Sequence, residues 1–353
     1  MLNRYTILLL ASLFAVPTAF GHEVEPSLTF DGGSCSIWGY TNLVFGTNTD
    51  FTPAQFRARI ACNYKGFTAL VEGDIAPLMQ SEQFLERHPA NYLTQAWVAY
   101  TWKEGVFENG MFSNTTVRVG RFQTAAGSAV PPLHETITVN RHYATSMLSI
   151  FGTGVSLSTK ITPTLTFTAD VTGGTGYPFN DPRSNFVTGG IESSQLLRWT
   201  AIQDGKRDVL SLSVMNQTST YVQRNGVYFK WSPTEDFDLY GGAFRGSFHY
   251  PTMKPYVSTG AYLLGDYRVL QFQAPVVHKP LDLRVHAMGD YLTGPTDYVS
   301  VTNGFQLVAP RNAGWGRQED SSLTVDTFWE RLQVDGGPSM SGFGVMARVR
   351  IFF

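Results

Sequence analysis

Apolar and polar residues alternate with a period of two along much of the chain, and this pattern constrains the fold most strongly. Between Gln55 and Lys65, one set of alternate positions is apolar and the other set is mainly polar. The apolar set consists of Phe56, Ala58, Ile60, Cys62 and Tyr64. Successive side chains of a β-strand point to opposite sides, so this period is typical of a strand with one apolar and one polar face.

The same alternation predicts strands along the whole chain. It is clearest at 67–75, 164–171, 281–291 and 345–353. Further strands are expected at 36–46, 92–102, 115–124, 150–161, 195–203, 207–217, 226–232, 237–245, 257–265, 267–277, and 299–308 or 323–334. Short turns alternate with longer polar stretches, which are 76–91, 125–149, 173–194 and 309–322. Because neither a long helical period nor a linker interrupts the pattern, we expect one all-β domain.

Composition excludes several classes of protein. Charged residues make up 15% of the chain, whereas soluble domains average about 25%. Aromatic residues reach 14%, so the disorder of highly charged, aromatic-poor chains is not expected. The 26 Lys and Arg residues are balanced by 28 Asp and Glu residues, unlike the basic surplus of a nucleic-acid-binding protein. After residue 21 the sequence lacks the run of about 18 apolar residues that a transmembrane helix requires.

The first 21 residues are interpreted as a signal peptide, and residues 22–353 as the mature domain. Arg4 supplies a positive start, and an apolar run follows from Thr6 to Val16. Ala19 and Gly21 fit the small residues of a cleavage site, which would make His22 the first mature residue. A membrane anchor is the alternative, but the apolar run is short for a span. We therefore expect an exported protein.

Two all-β architectures fit the alternation. A soluble β-sandwich would hide the apolar faces in a core, but a chain of 353 residues would need two sandwiches and a linker. A transmembrane antiparallel barrel instead turns apolar side chains towards lipid and polar ones towards a lumen. A closed barrel satisfies every backbone group of a sheet within a membrane. Its interfacial girdles also account for the many aromatic residues, so the barrel is favoured.

Three stretches of the sequence resemble the Gram-negative general porin family. The chain ends in an alternating strand with Phe353 as its last residue. The stretches 93–100 and 117–124 are similar to the porin strand pair that precedes the constriction loop. The resemblance implies an outer-membrane barrel of about 16 strands, with long external loops, short periplasmic turns, and commonly a trimeric state. Fourteen or 18 strands would also satisfy the even number found in such barrels.

The segment 125–149 is expected to be the third external loop. At about 25 residues it is much longer than a hairpin connection requires. In the family this loop folds inward and narrows the pore, which makes its charged and titratable residues candidate constriction residues. These are His134, Glu135, Arg141 and His142. A plain surface loop is the alternative.

The polar positions of the strands predict the residues that line the pore. Arg57, Arg59 and Arg118 form a candidate basic wall, opposed by Glu135, while Glu72 and Asp74 are candidate acidic lining residues. The other expected inward charges are Arg198, Lys230, Arg284, Arg348, Arg350, Asp170, Asp282 and Asp290. Since a pore selects by its width and its lining charges, we hypothesise weak anion selectivity. Alternatively, these charges pair with one another and hydrate a wide pore.

Cys35 lies at the start of the first predicted strand and Cys62 lies on the second, both near the periplasmic ends, and both are expected to face lipid. An exported protein can keep a disulfide, but the geometry of a cross-strand bond is restrictive. A disulfide and two free thiols both remain open.

The expected function is passive diffusion of small hydrophilic solutes or ions through a water-filled channel. The sequence contains neither a Gly-x-Ser-x-Gly elbow nor a His-Glu-x-x-His motif, so an enzyme is not expected. No cofactor or metal is implied. The expected partners are outer-membrane lipid, solutes or ions, and two further copies in a homotrimer, with no nucleic acid. The alternatives are a barrel with an adhesive or structural role and, less favoured, a barrel enzyme of the lipase or protease type.

Overall fold

The structure is a computed structural model of the chain. It describes residues 27–46, 55–75, 93–104, 111–129, 151–173, 191–205, 207–249, 254–273, 280–309, 321–334 and 337–352. The expected signal peptide and residues 130–149 of the expected constriction loop lie outside these ranges.

The described residues form seventeen strands and one short helix, and the strands belong to a single sheet. The strands are β1 (Ser27–Phe30), β2 (Gly33–Gly46), β3 (Gln55–Tyr64), β4 (Phe67–Ile75), β5 (Leu93–Trp102), β6 (Ser113–Gln123), β7 (Phe151–Thr162), β8 (Leu165–Gly173), β9 (Ile191–Asp204), β10 (Arg207–Thr218), β11 (Val222–Trp231), β12 (Phe237–Phe248), β13 (Tyr256–Gln273), β14 (Pro280–Thr293), β15 (Thr296–Ala309), β16 (Ser321–Val334) and β17 (Ser339–Phe352). The helix, α1 (Ala125–Ala129), follows β6. Within the described ranges, no helix is long and apolar enough to cross a membrane. The predicted all-β class is confirmed.

The strand pairings from β2 to β17 run in a cycle. Each of these strands pairs antiparallel with the next one along the chain. The last strand, β17, then pairs with β2, where Arg350 lies opposite Asn42. Each of these strands therefore has a hydrogen-bonded neighbour on both sides, and the sheet leaves few backbone groups on an open edge.

The short strand β1 lies beside the cycle at its seam. It pairs with residues 33–36 of β2, whereas β17 pairs with residues 40–46 of β2. The other edge of β2 is covered by β3 over residues 33–42. Thus β1 and β17 lie one after the other along the same edge of β2.

One predicted strand boundary is wrong. Separate strands were expected at 257–265 and 267–277, but the structure has a single strand, β13, across both. The pair Gly265-Asp266 suggests a turn in the sequence. In the structure the alternation continues through it, and a register shift occurs later, between Arg268 and Leu270.

The lengths of the connections differ between the two halves of the sheet. The loop end is the end at which β2, β4, β6 and β8 leave the sheet, and the turn end is the opposite one. The long connections at the loop end are 76–92, 124–150 and 174–190, but 219–221, 294–295 and 335–338 at the same end are short. The expected long stretch 309–322 corresponds to the connection 310–320 and lies at the turn end. The expectation of uniformly long loops at one end is therefore wrong for the second half.

Burial of the two faces is the reverse of that in a soluble protein. Large apolar side chains are exposed on alternate strand positions, as at Val119, Val214 and Val227, each 55% exposed. Polar side chains such as Asp266 and Arg284 occupy the intervening positions and are buried. We call the first face the outer face and the second the inner face. The predicted alternation of the two faces is thereby observed in three dimensions.

Some glycines on the inner face allow aromatic rings to lie against neighbouring strands. Gly242 is the register partner of Tyr228, and a Cβ atom at Gly242 would lie 2.4 Å from Tyr228 Cδ1. Gly344 faces Phe328 in the same way, and a Cβ atom at Gly344 would lie 2.4 Å from Phe328 Cζ. Part of the glycine content thus follows from the packing of aromatic rings across strands.

We predict that Gly242→Ala destabilises the folded protein, because the added methyl group displaces the Tyr228 ring. Overpacking of this kind costs about 1–3 kcal/mol. Gly289→Ala is the matched control, since a Cβ at Gly289 meets nothing within 4 Å. Thermal unfolding in detergent is the measurement, and equal midpoints for the two variants would contradict the prediction.

Cys35 and Cys62 are register partners on β2 and β3. Their sulfur atoms are bonded at 2.11 Å, with the Cα atoms 4.0 Å apart. Cys35 also lies opposite Leu28 of β1. The disulfide therefore links β3 to the segment of β2 that lies next to the seam.

We predict that the unreduced protein does not react with a thiol reagent and that it gains two adducts after reduction, as read by mass spectrometry. The double variant Cys35→Ser, Cys62→Ser should unfold at lower temperature, because the crosslink closes a loop with a sequence separation of 27. In the chain-entropy model, a loop of that length corresponds to a loss of about 3.5 kcal/mol. Adducts without reduction would contradict the bond.

Candidate functional site: the inner face of the sheet

The helix α1 lies on the inner face and shows how the chain leaves β6. The Thr124 hydroxyl accepts a hydrogen bond from the Gly127 backbone N–H at 3.0 Å, which is the cap of a helix N-terminus. Ala125 and Ala126 are buried in an apolar cluster with Leu196 and Met215 of the neighbouring strands. The chain after β6 therefore passes across the inner face instead of continuing away from the sheet.

Two charged side chains hold α1 against the inner face. Asp170 of β8 accepts a hydrogen bond from the Ala125 backbone N–H and another from the Ser194 hydroxyl at 3.1 Å. At the other end of the helix, Arg198 of β9 donates to the Ser128 carbonyl oxygen at 2.8 Å. The inward course expected for 125–149 is observed for its first five residues.

The four loop residues of the predicted constriction lie outside the described part of the chain. Their positions relative to the inner face remain a prediction. These residues are His134, Glu135, Arg141 and His142.

Gln95 and Trp97 connect three of the predicted lining residues, which are Arg59, Glu72 and Arg118. Arg59 pairs with Glu72, with 2.6 Å between Nη2 and Oε2. Gln95 donates to the other oxygen of Glu72 at 3.2 Å and accepts from the Trp97 indole N–H at 3.2 Å. The Arg118 guanidinium lies over the Trp97 ring, 4.5 Å from its centroid. The result is one polar chain across β3, β4, β5 and β6.

Arg57 and Asp74 are register partners one step further along the same two strands. Their side chains lie outside the described set. The register alone places these two positions next to those of Arg59 and Glu72.

A second charged cluster lies at the turn end of β12, β13 and β14. Arg284 donates to Asp266 at 2.8 Å and lies 3.8 Å from an oxygen of Asp238. Arg268 pairs with Asp236 and lies 3.6 Å from an oxygen of Asp282. Sequence reasoning found Arg284 and Asp282 but missed Asp266, because this residue lies between the two strands predicted at 257–265 and 267–277. Leu263 and Leu264 are adjacent apolar residues that interrupt the alternation there, so the sequence carries no local signal for Asp266.

A third polar group joins β9, β10 and β11. Gln217 donates to Glu192 at 2.5 Å and accepts from Arg224 at 2.6 Å. The Arg224 guanidinium also lies 5.5 Å from the centre of the Phe248 ring. Glu192 and Arg224 were both missed by the sequence reading, since they lie close to the strand ends at which the predicted elements stopped.

Charges of the two signs are concentrated on different sides of the inner face. Among the described inward-facing side chains of β12–β16, the acidic ones are Asp238, Asp266, Asp282, Asp290, Asp326 and Glu330, and the basic ones are Arg268 and Arg284. Among those of β3–β6 and β17, the basic ones are Arg59, Arg118, Arg348 and Arg350, and the acidic one is Glu72. The predicted excess of inward basic residues is thus a feature of one side.

Comparison with known proteins finds similarity only at the level of structure. Neither a protein-family model nor a curated protein sequence matches the chain. The outer-membrane expressed OmpT of Vibrio cholerae matches with a TM-score of 0.56 at 11% identity, covering 92% of this chain and 100% of that one.

Two further solved structures are similar to the same extent. The anion-selective porin from Comamonas acidovorans gives a TM-score of 0.54 at 10% identity, covering 91% of this chain and 100% of that one. The outer-membrane channel DcaP of Acinetobacter baumannii gives 0.54 at 10% identity, covering 92% and 99%. The chain therefore has the fold of Gram-negative outer-membrane porins, as the resemblance in its sequence predicts.

Proposed function

We propose that the chain forms a closed transmembrane barrel in the outer membrane of a Gram-negative bacterium and acts as a channel. Small hydrophilic solutes or ions diffuse passively through its water-filled lumen. The cyclic pairing from β2 to β17, combined with an apolar outer face and a charged inner face, is the observation that carries the proposal. A sheet with these faces is matched to lipid outside and to water inside.

The position of α1 supports a constriction inside the lumen. Its first residue is tied to Asp170 and its end to Arg198, so the following loop starts from a fixed point on the wall. A solute is then selected by the width left beside the loop and by the charges that line the passage.

A weak preference for anions is the more specific part of the proposal. Arg59 is paired with Glu72, and this supports the alternative in which wall charges neutralise one another. Arg118 instead stacks on Trp97, and the electrostatic attraction of Asp170 offsets its guanidinium charge only in part. We therefore assign the anion preference mainly to Arg118.

The resemblance to the general porin family underlies our proposals on assembly and chemistry. We propose a homotrimer in the membrane and no enzymatic activity. Within the described residues, no group of three or more His, Cys, Asp or Glu side chains is arranged to hold a metal ion. The proposed function requires only positioning of charges and steric restriction.

The channel is tested by adding purified protein to a planar lipid bilayer. We predict stepwise current increases whose size rises with salt concentration, because ions cross through water. A protein that inserts into the bilayer without any current steps would contradict the proposal and would favour an adhesive or structural role.

We predict that Arg118→Gln reduces the anion preference. A unit charge acts on an ion about 7 Å away in water with roughly 0.6 kcal/mol, and salt at about 0.1 M screens this energy to roughly half. Because the anion and the cation are affected in opposite senses, the ratio of anion to cation permeability should fall about two- to threefold. The reversal potential in a salt gradient is the measurement. Arg245→Gln is the control, because Arg245 is exposed on the outer face; an equal shift in both variants would contradict the assignment.

We predict that Asp170→Ala loosens the constriction. The Ala125 N–H loses its acceptor, and an unpaired buried donor costs about 1–3 kcal/mol. The open current should become larger and noisier than that of the wild type. Asp204→Ala, which removes an exposed carboxylate at the end of β9, should leave the current unchanged. Identical currents in all three proteins would show that Asp170 has no part in setting the constriction.

A further inference from the structure

A row of polar side chains interrupts the apolar outer face towards the loop end of β9–β13. Gln195 lies opposite Asn216, and Asn216 lies opposite Asn225. Asn225 in turn lies opposite Arg245, and Arg245 lies opposite Thr259. All of them except the partly buried Asn216 are exposed. We call these five residues the polar row.

The outer face stays polar between this row and the ends of the strands. Ser193 lies opposite Thr218, and Thr218 lies opposite Gln223. Gln223 lies opposite Ser247 of the next strand. Hydroxyl and amide groups thus occupy two successive rows at this end of the sheet.

The apolar part of the outer face is short on the strands that carry the polar row. On β10 the outer positions are apolar from Leu210 to Val214, which is about 14 Å along the strand. On β14 they are apolar from Leu283 to Tyr291, which is about 27 Å. Lipid tails therefore cover less of β10 than of β14, and the polar row borders the headgroups.

Two hydrogen bonds orient the amides of the polar row. The Thr218 hydroxyl donates to Asn216 Oδ1 at 3.2 Å, and Asn216 Nδ2 donates to Asn225 Oδ1 at 2.7 Å. Both amide oxygens are thereby used as acceptors. The N–H groups of Asn225 take no part in these bonds, and Asn225 is the register partner of Arg245. This part of the row therefore presents hydrogen-bond donors.

Arg245 brings a positive charge into surroundings that are otherwise neutral. Its register partners Asn225 and Thr259 are uncharged, and so are Ala243 and Ser247, the next outer positions of its own strand. A charged side chain on the lipid face is costly at the bilayer centre and tolerated near the headgroups. Since Arg245 lies three residues before the end of β12, its long side chain can extend to the headgroup level.

We propose that Arg245 and Asn225 bind the phosphate group of a membrane lipid. This lipid site rests on the proposed function, because it requires the outer face to lie against a bilayer. The guanidinium offers two parallel N–H donors that match two phosphate oxygens, and the Asn225 amide adds a third donor. The lipid supplies the negative charge that the polar row lacks.

A second copy of the chain is the alternative occupant of this surface, and the charge of Arg245 argues against it. Amides of two copies can pair with one another, but the contact would enclose the guanidinium. A buried charge without a partner is strongly unfavourable. At the same end of the outer face, the carboxylate of Asp297 already accepts a hydrogen bond from Thr293 at 2.7 Å.

The test compares the affinity of the purified protein for two phospholipids in detergent. Phosphatidylglycerol has an anionic headgroup, whereas the phosphate of phosphatidylcholine is neutralised by its own choline. Each lipid is titrated while the thermal unfolding midpoint is read, since a ligand of the folded state raises it. The wild type should prefer phosphatidylglycerol, and Arg245→Gln should bind it about fivefold more weakly, the effect of one cation at a lipid surface.

Asn225→Asp tests the role of the charge while Arg245 is kept. The new carboxylate still accepts the hydrogen bond from Asn216, but it pairs with the guanidinium in place of a phosphate. The preference for phosphatidylglycerol should be lost, as in Arg245→Gln. Arg207→Gln is the matched control and should bind like the wild type, because Arg207 lies at the turn end of β10 and pairs with Asp204 at 3.3 Å.

Three affinity results would overturn the proposal. They are equal affinity of the wild type for both lipids, an Arg245→Gln variant that keeps the preference, and an Arg207→Gln variant that loses it. A midpoint raised as much by inorganic phosphate alone would assign the row to a free ion and not to a lipid.

The oligomeric state in detergent, read by light scattering, separates the lipid site from a contact between copies. It should be the same for the wild type, Arg245→Gln and Asn225→Asp. Smaller assemblies of the two variants with unchanged lipid affinity would overturn the lipid site in favour of a contact between copies. Failure of the wild type to form channels would instead count against the proposed function, because the lipid affinities are read without current.

Discussion

The pairing of β17 with β2 is the contact on which the rest of the structure depends. It joins the last strand to the first long strand, so that every strand from β2 to β17 has hydrogen-bonded neighbours on both edges. A sheet in hydrocarbon cannot leave an edge unpaired, because no water is present to satisfy its backbone groups. The seam is also covered by β1 along the same edge of β2, and the Cys35–Cys62 disulfide lies beside it.

Once the pairing is cyclic, the alternation of side chains assigns a chemical role to each face. Odd and even positions cannot exchange roles without shifting the register of a strand, which would move every side chain to the wrong side. The inner face therefore collects polar groups from distant parts of the sequence. Their hydrogen bonds and ion pairs, such as Arg59 with Glu72 and Arg284 with Asp266, offset the cost of removing them from bulk water.

The sequence was sufficient to predict strands, faces and the fold, because a period of two is a local signal that survives without tertiary information. It did not reveal the long strand β13, where Gly265-Asp266 resembles a turn. It also did not reveal which end of the sheet holds the connection 310–320, since one miscounted strand reverses the end of every later connection.

The candidate site was predictable only as a list of inward residues. Arg59, Glu72 and Arg118 were found from their parity, but the linking roles of Gln95 and Trp97 depend on rotamers and register. His286 and Asp326 are 40 residues apart in the sequence, and their contact depends on Gly304, which lies between them in the sheet. No local pattern encodes such a contact. The pairing of the two cysteines, left open by parity, follows from the register of β2 and β3.

The opposition of a lipid-facing and a water-facing side is the central claim, and cysteine labelling in a lipid bilayer tests it most directly. Thr168→Cys places a thiol on the inner parity of β8, and Val171→Cys places one on the outer parity of the same strand. A charged, membrane-impermeant thiol reagent should label position 168 and leave position 171 unlabelled. Equal labelling of both positions, or labelling of position 171 alone, would contradict a water-filled lumen enclosed by a lipid-facing wall.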